Sequence, residues 1–227
     1  MADNENRHLR QARNRYMVQL MKTIATIIFL LGSLISNATE LGLGIVDIDI
    51  YKTKEINLYK NKSDRNPERV IHLIDKNGNI TIEENDYQKW LKPESIWLDY
   101  SIFIFRYTDF QDDWIEIIVN NDSMNKMWIR KTETMSVNTW QTFLVNRTTA
   151  VEPLTSSEIK LEPSDNAQTI RKSTKDDCFE AIEIIGDWIK IKTNETLDCN
   201  KHPDPIKSGW IKWRQNNKLT IEFFLTC

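Results

Sequence analysis

From residue 41 onward, hydrophobic and polar positions alternate in short runs. In the segment WIKIKT, Ile189 and Ile191 fall on one face while Trp188, Lys190 and Lys192 fall on the other. That period of two marks a half-buried strand. The segment LTIEFFLTC ends the sequence with Leu219, Ile221 and Phe223 alternating. Asn77-Gly78, between IHLI and ITI, is the residue pair preferred in a type I′ hairpin turn, and Gly186-Asp187 supplies a second two-residue turn before WIKIKT. Two stretches change period. Trp140, Phe143 and Leu144 stand at i, i+3 and i+4 behind Ser136 as an N-cap, and Tyr87, Trp90 and Leu91 repeat the spacing until Pro93 stops it. Short strands at this density predict an all-β fold of small barrels with short helical insertions.

The pattern repeats. Asp113-Trp114-Ile115-Glu116-Ile117 matches Asp187-Trp188-Ile189-Lys190-Ile191, and Trp128-Ile129-Arg130-Lys131 matches Trp210-Ile211-Lys212-Trp213. Upstream, INLYKNKSDRNPERVI from Ile56 resembles IKLEPSDNAQTI from Ile159. Two copies of unlike length predict a tandem pair of modules, 41–150 and 151–227, joined near AVEPLTSS. The first carries an insertion, because Ile56 to Trp114 is far longer than Ile159 to Trp188.

Residues 1–38 read as an N-terminal extension and export signal. Ile24 to Ile35 is uncharged, Lys22 precedes it, and Ser36-Asn37-Ala38 follows as a small-x-small cleavage pattern. The run is too short for a stable membrane span, which needs about 20 apolar residues. The polar stretch before it either lengthens the signal's basic region or lies upstream of a true start at Met21; the second reading is preferred. The expected location is therefore exported, periplasmic or extracellular. Cys178, Cys199 and Cys227 fit that compartment, where disulfides persist. Either Cys199 or Cys227 is a candidate partner for Cys178, the first being preferred, and an odd count leaves one cysteine over.

Charge then narrows the partners. After residue 38 the chain has 25 basic against 31 acidic residues. An acidic balance disfavours nucleic acid, whose binding depends on cations releasing phosphate counterions. No cofactor or metal is expected: Cys and His lack zinc-like spacing. The stretch from Asp75 has Ile80 and Asp86 where an EF-hand loop has its Gly and Glu.

The tandem of apolar strand, polar loop, D-W-I-K-I and G-W-I-K-W behind a signal peptide resembles the bacterial SH3-like, or SH3b-type, domains of exported proteins, particularly those of the Bacteroidetes. The copy from Ile159 to Cys227 matches in GDWIKIKT and SGWIKWR; the earlier copy has no Gly before Trp128 and carries the insertion. The resemblance implies a binding or targeting module, often at the cell wall, with no catalytic residues to carry over.

Catalytic patterns are sparse. His72 and His202 are the only histidines beyond the signal, and no G-x-S-x-G elbow occurs. NlpC-type peptidases often accompany SH3b modules but need a separate domain with Cys and His. The chain is therefore expected not to be an enzyme. Eight tryptophans are the informative side chains, and Trp114, Trp128, Trp188 and Trp210 open the repeated strands opposite the isoleucines. Either they are covered within the protein, or Trp188 and Trp210 line a groove beside Lys190, Lys192, Lys212 and Arg214 that takes a carboxylate-bearing peptide or glycan. The expected function is recognition of a peptide or peptidoglycan fragment. The alternative is a secreted interaction protein that meets another envelope protein through its Trp-bearing faces.

Overall fold

The alternating runs become strands in the computed structural model, which describes residues 41–174, 177–194 and 203–226. The first group is β1 (Gly44–Ile48), β2 (Glu55–Leu58), β3 (Arg69–Lys76), β4 (Asn79–Ile82) and β5 (Ser95–Trp97). It continues with β6 (Ile102–Gln111), β7 (Trp114–Asn120), β8 (Asn125–Arg130) and β9 (Met135–Thr139), and a short helix, α1 (Trp140–Asn146), follows. Next come β10 (Ala150–Pro153), β11 (Glu158–Lys160), β12 (Thr169–Lys172), β13 (Phe179–Ile185) and β14 (Trp188–Thr193). The last are β15 (Gly209–Lys212), β16 (Arg214–Gln215), β17 (Lys218–Leu219) and β18 (Ile221–Phe224). The fold is all-β, and its named strand pairs are antiparallel.

Two sheets dominate, in the orders β8-β7-β6-β1-β9 and β12-β11-β15-β14-β13-β10-β18. Strand β5 adds to β6, while β2-β3-β4 and β16-β17 form smaller sheets. Tyr59, just past β2, exchanges backbone hydrogen bonds with Trp128 of β8, both 2.8 Å, which ties β3-β2 to the edge of the first sheet. The order β3-β2-β8-β7-β6-β1-β9 is thereby matched, strand for strand, by β12-β11-β15-β14-β13-β10-β18. The departures from that match are β4 and β5 in the first copy and the β16-β17 hairpin in the second.

Register repeats as well. Trp114 faces Arg130, Ile115 faces Ile129 and Glu116 faces Trp128 in one copy. Trp188 faces Lys212, Ile189 faces Ile211 and Lys190 faces Trp210 in the other. Because pleated side chains alternate, each isoleucine pair points inward. Ile115, Ile117 and Ile129 pack with Phe103, Phe105 and Leu58 in one core. Ile189, Ile191 and Ile211 pack with Phe179, Phe143 and Trp213 in the other. All six isoleucines are fully buried, each stabilising by about 1.5–3 kcal/mol relative to exposure.

Turns follow their residues. Asn77 and Gly78 both have positive φ, 59° and 89°, as a type I′ turn requires. The helix starts later than its pattern suggests. β9 stays paired to β1 through Thr139, so Ser136 is a strand residue and Thr139 becomes the N-cap, its Oγ1 accepting the Thr142 N–H at 3.2 Å. Trp140 and Phe143 of α1 enter the second core, and the Trp140 indole N–H donates to the Leu41 carbonyl at 3.1 Å. The segment after Asp86 makes one 3-10 turn, Tyr87–Lys89, too short to count as a second helix.

Gly209 opens β15 where the backbone crosses Ile159: a Cβ there would lie 2.4 Å from Ile159 Cγ2. Gly209→Ala is expected to destabilise the fold by about 1–3 kcal/mol through overpacking. Urea denaturation checks this, and an unchanged midpoint would refute the close approach.

Candidate functional site

The tryptophans singled out by sequence stand on the outer faces of their strands, as alternation requires. Trp114, Trp128 and Trp188 are half-buried and Trp210 is buried. Each is covered by a cation. Arg130 lies 4.3 Å from the Trp114 ring centre and Lys62 lies 4.7 Å from that of Trp128. Lys212 lies 5.3 Å from Trp188, and Lys190 lies 5.6 Å from Trp210. Tyr59 meets Trp114 edge-on at 5.1 Å.

The cations of the second sheet are themselves engaged. Lys190 pairs with Glu183 at 3.8 Å, Lys192 with Glu180 at 3.0 Å, Lys212 with Asp165 at 2.6 Å and Arg214 with Asp187 at 2.6 Å. Lys160 pairs with Glu158 at 2.7 Å, and that hydrogen bond holds the Glu158 carboxyl below its ordinary range. The structure thus brings Trp188, Lys190, Trp210 and Lys212 together as a cross-strand ladder, with Trp114 and Trp128 in a matching ladder on the other sheet. On both, a cation from the same sheet or its flanking loop lies over one face of each ring.

A groove of about 850 Å³ lies elsewhere, lined by Glu94, Ser95, Trp97, Ile102, Arg106 and Asn121 on one side and by residues between Asn217 and Thr226 on the other. Its polar floor is built from the residue before β5, from β6 and from the turn after β7. The Arg106 guanidinium donates to both oxygens of Glu94, through Nε to one and through Nη2 at 3.0 Å to the other. Asn121 Nδ2 donates to Glu94 at 2.8 Å. The Glu94 side chain is 8% exposed. Asn121 Oδ1 is buried and has no hydrogen-bond partner, which costs about 1–3 kcal/mol if it stays so.

The walls mix apolar and polar residues. Ile221 is buried and Phe223 packs on the second core, while Trp97 and Leu154 stand at the rim, 59% and 58% exposed. Trp97 leans on Tyr100 with ring centres 5.9 Å apart. Glu222, also in the lining, faces Glu152 across the β10-β18 ladder. Burial first, and the Glu222 charge second, push the Glu152 carboxyl above its ordinary range. Sequence reasoning missed Glu94, Arg106 and Asn121, which belong to no motif. The available signal was Trp97, in the apolar run Ile96-Trp97-Leu98 of the insertion.

Among the described residues, no group of three or more His, Cys, Asp or Glu side chains is placed to hold a metal ion, and no helix is long and apolar enough to cross a membrane. Cys178 is fully buried. Cys199, Cys227, His202 and the apolar run from Ile24 lie outside the described residues, as do both anticipated cysteine pairings.

No protein-family model matches the chain, and no curated protein matches it significantly. The solved structure of NlpC2 from Trichomonas vaginalis is similar over 80% of this chain, at 11% identity and a TM-score of 0.29. This chain covers 48%, about half, of that one. Beside that match, the expectation that the chain is not an enzyme is corrected and not retained. That expectation rested on scarce histidine and missing motifs, which exclude particular triads and not catalysis as such. At this TM-score the match assigns no reaction and no catalytic residue.

Two outcomes test the groove's electrostatics. Arg106→Ala strands the buried Glu94 carboxylate and is expected to destabilise by about 3 kcal/mol in chemical denaturation; a loss well under 1 kcal/mol would mean that Glu94 is solvated. Glu222→Gln tests the carboxylate pair. The raised folded-state pKa of Glu152 makes the repulsion complete above that pKa and absent below the group's ordinary value. The variant is therefore expected to melt higher than the parent at about pH 7, and at the same temperature as the parent at about pH 3.

Proposed function

We propose that this chain is an exported binding protein made of two tandem SH3-like barrels, and that it recognises a peptide or a cell-wall fragment. The observation that carries the reading is the groove beside β18: apolar patches from Ile102, Ile221 and Phe223, an exposed Trp97 at the rim and a fixed Glu94-Arg106-Asn121 floor. Ligand sites combine these parts, apolar surface for affinity and a few placed polar groups for orientation. The strand-for-strand repeat of the two sheets supports the tandem arrangement, and the buried Cys178 supports a disulfide in the second module.

The reading places recognition at the groove and gives the Trp-cation ladders a supporting part. Lys190, Lys192 and Lys212 already have carboxylate partners, so a ligand carboxylate there would have to displace Glu183, Glu180 or Asp165. The alternative, a protein partner on the Trp-bearing faces, draws on the exposure that Trp114, Trp128 and Trp188 retain.

Co-sedimentation of the full chain with purified peptidoglycan tests the proposal. The parent is expected to pellet, Trp97→Ala to stay largely in solution with its circular dichroism unchanged, and Trp188→Ala to pellet like the parent. Pelleting lost in Trp188→Ala and kept in Trp97→Ala would move the site to the ladder. No pelleting by any of the three would exclude the cell wall as ligand.

A further inference from the structure

We propose that the groove takes an extended cationic peptide, which adds as a strand to the outer edge of β18 and sets a lysine or arginine side chain against Glu222 and Asn121. This rests on the groove being the binding site and specifies both the ligand class and the mode of binding.

The edge is the first observation. β18 ends its sheet, and among the described residues it pairs with β10 and with no strand on its other side. Its carbonyls at Thr220 and Phe224 accept from the Leu154 and Thr149 N–H groups at 3.0 Å and 2.7 Å, toward β10. Alternation along an antiparallel ladder then turns the N–H and C=O of Ile221 and Phe223 outward. Open edges of this kind invite strand addition unless charge, proline or a bulge blunts them. Here Ile221–Phe224 has no proline or lysine, its one charge is the Glu222 carboxylate, which a cationic strand would neutralise, and the edge residues line a groove instead of open solvent.

Charge is the second observation. Glu222 and Glu152 stand opposite one another on the ladder, and neither has an ion-pair partner among the described residues. Like charges directly opposite destabilise a strand pair, and a ligand cation relieves them. Asn121 Oδ1 is a buried acceptor without a donor in the same groove, and its Nδ2 is committed to Glu94, so the carbonyl oxygen is the atom left to receive an N–H. Of the two cations in the lining, Arg106 is held by both Glu94 oxygens, and Lys218 also has a partner. An anionic peptide would meet uncompensated carboxylates here.

The test uses a capped hexapeptide of alternating valine and lysine, titrated onto the full chain and followed by amide NMR and hydrogen exchange. Saturable shifts are expected at Glu222 and Asn121, with exchange of the Ile221 and Phe223 amides slowed by about ten-fold at saturation. A valine–glutamate hexapeptide, a lysine peptide N-methylated at alternate residues, and the parent peptide on Glu222→Gln are each expected to bind several-fold to about ten-fold more weakly. Equal binding of the glutamate peptide, no protection of the Phe223 amide, or no binding at all would overturn the proposal. So would a Phe223 amide already protected without peptide, which would mean that the chain itself occupies the edge; if that protection rose with protein concentration, the occupant would be a second copy. Peptidoglycan binding is read separately. Hexapeptide binding without pelleting would retain strand addition and remove the cell-wall reading, while pelleting without hexapeptide binding would do the reverse.

Discussion

Side chains on successive strand residues leave opposite faces of a sheet, and in this chain that constraint is met twice with the same residues in the same register. Ile115 against Ile129 and Ile189 against Ile211 turn inward, each pair fully buried. The tryptophan beside each isoleucine must then stand outward. A large ring on an outer face has to be covered, and the antiparallel register brings the cover with it. Arg130 and Lys212 sit directly across from Trp114 and Trp188, and their charged ends lie over the rings. Slipping either pairing by one residue would expose the isoleucines and bury the cations together. The inward and outward faces therefore specify one register jointly.

That coupling explains what the sequence disclosed. The D-W-I-x-I and W-I-K/R strands, the Asn77-Gly78 turn and the hairpin at Gly186-Asp187 are local patterns with a fixed period, and each forms where its pattern lies. The all-β class follows from their sum. The start of α1 was less legible, because Ser136 and Thr139 are both good caps by chemistry; pairing of β9 with β1, a contact with residues near the start of the fold, decides between them. The glycine of SGWIKWR could be read as a motif letter, but its reason, the approach of Ile159, is visible only when β15 lies beside β11.

The site was less legible than the fold. The sequence marked the tryptophans and the lysines around them, and the structure does gather Trp188, Lys190, Trp210 and Lys212. It could not mark the acids that engage those lysines, since Asp165 comes from the loop after β11 and Glu183 and Glu180 from the neighbouring strand β13. Nor could it mark the groove, whose two sides come from Glu94–Asn121 and from the last residues of the chain. Ion pairs and concavities across such separations have no period. The enzyme question shows the same limit from the other direction, since missing local motifs say little about chemistry assembled from distant residues.

The two copies can be compared as an internal control. What they share, the isoleucine cores and the Trp-cation ladders, is what each sheet needs in order to hold its register. What they do not share is free of that duty. β5 belongs to the insertion of the first copy, and the β16-β17 hairpin and the run into β18 carry the second copy's departure from the common pattern. The groove is lined by both departures: Ser95 and Trp97 come from one, and Asn217, Lys218 and Leu219 from the other. A Trp ladder present on both sheets is accounted for by stability, because the same sequence solves the same packing problem twice. A concave site to which both departures contribute, with an acceptor left open and two carboxylates held face to face, has no such explanation within the fold. That asymmetry is the reason to seek recognition at β18 and not on the tryptophan faces.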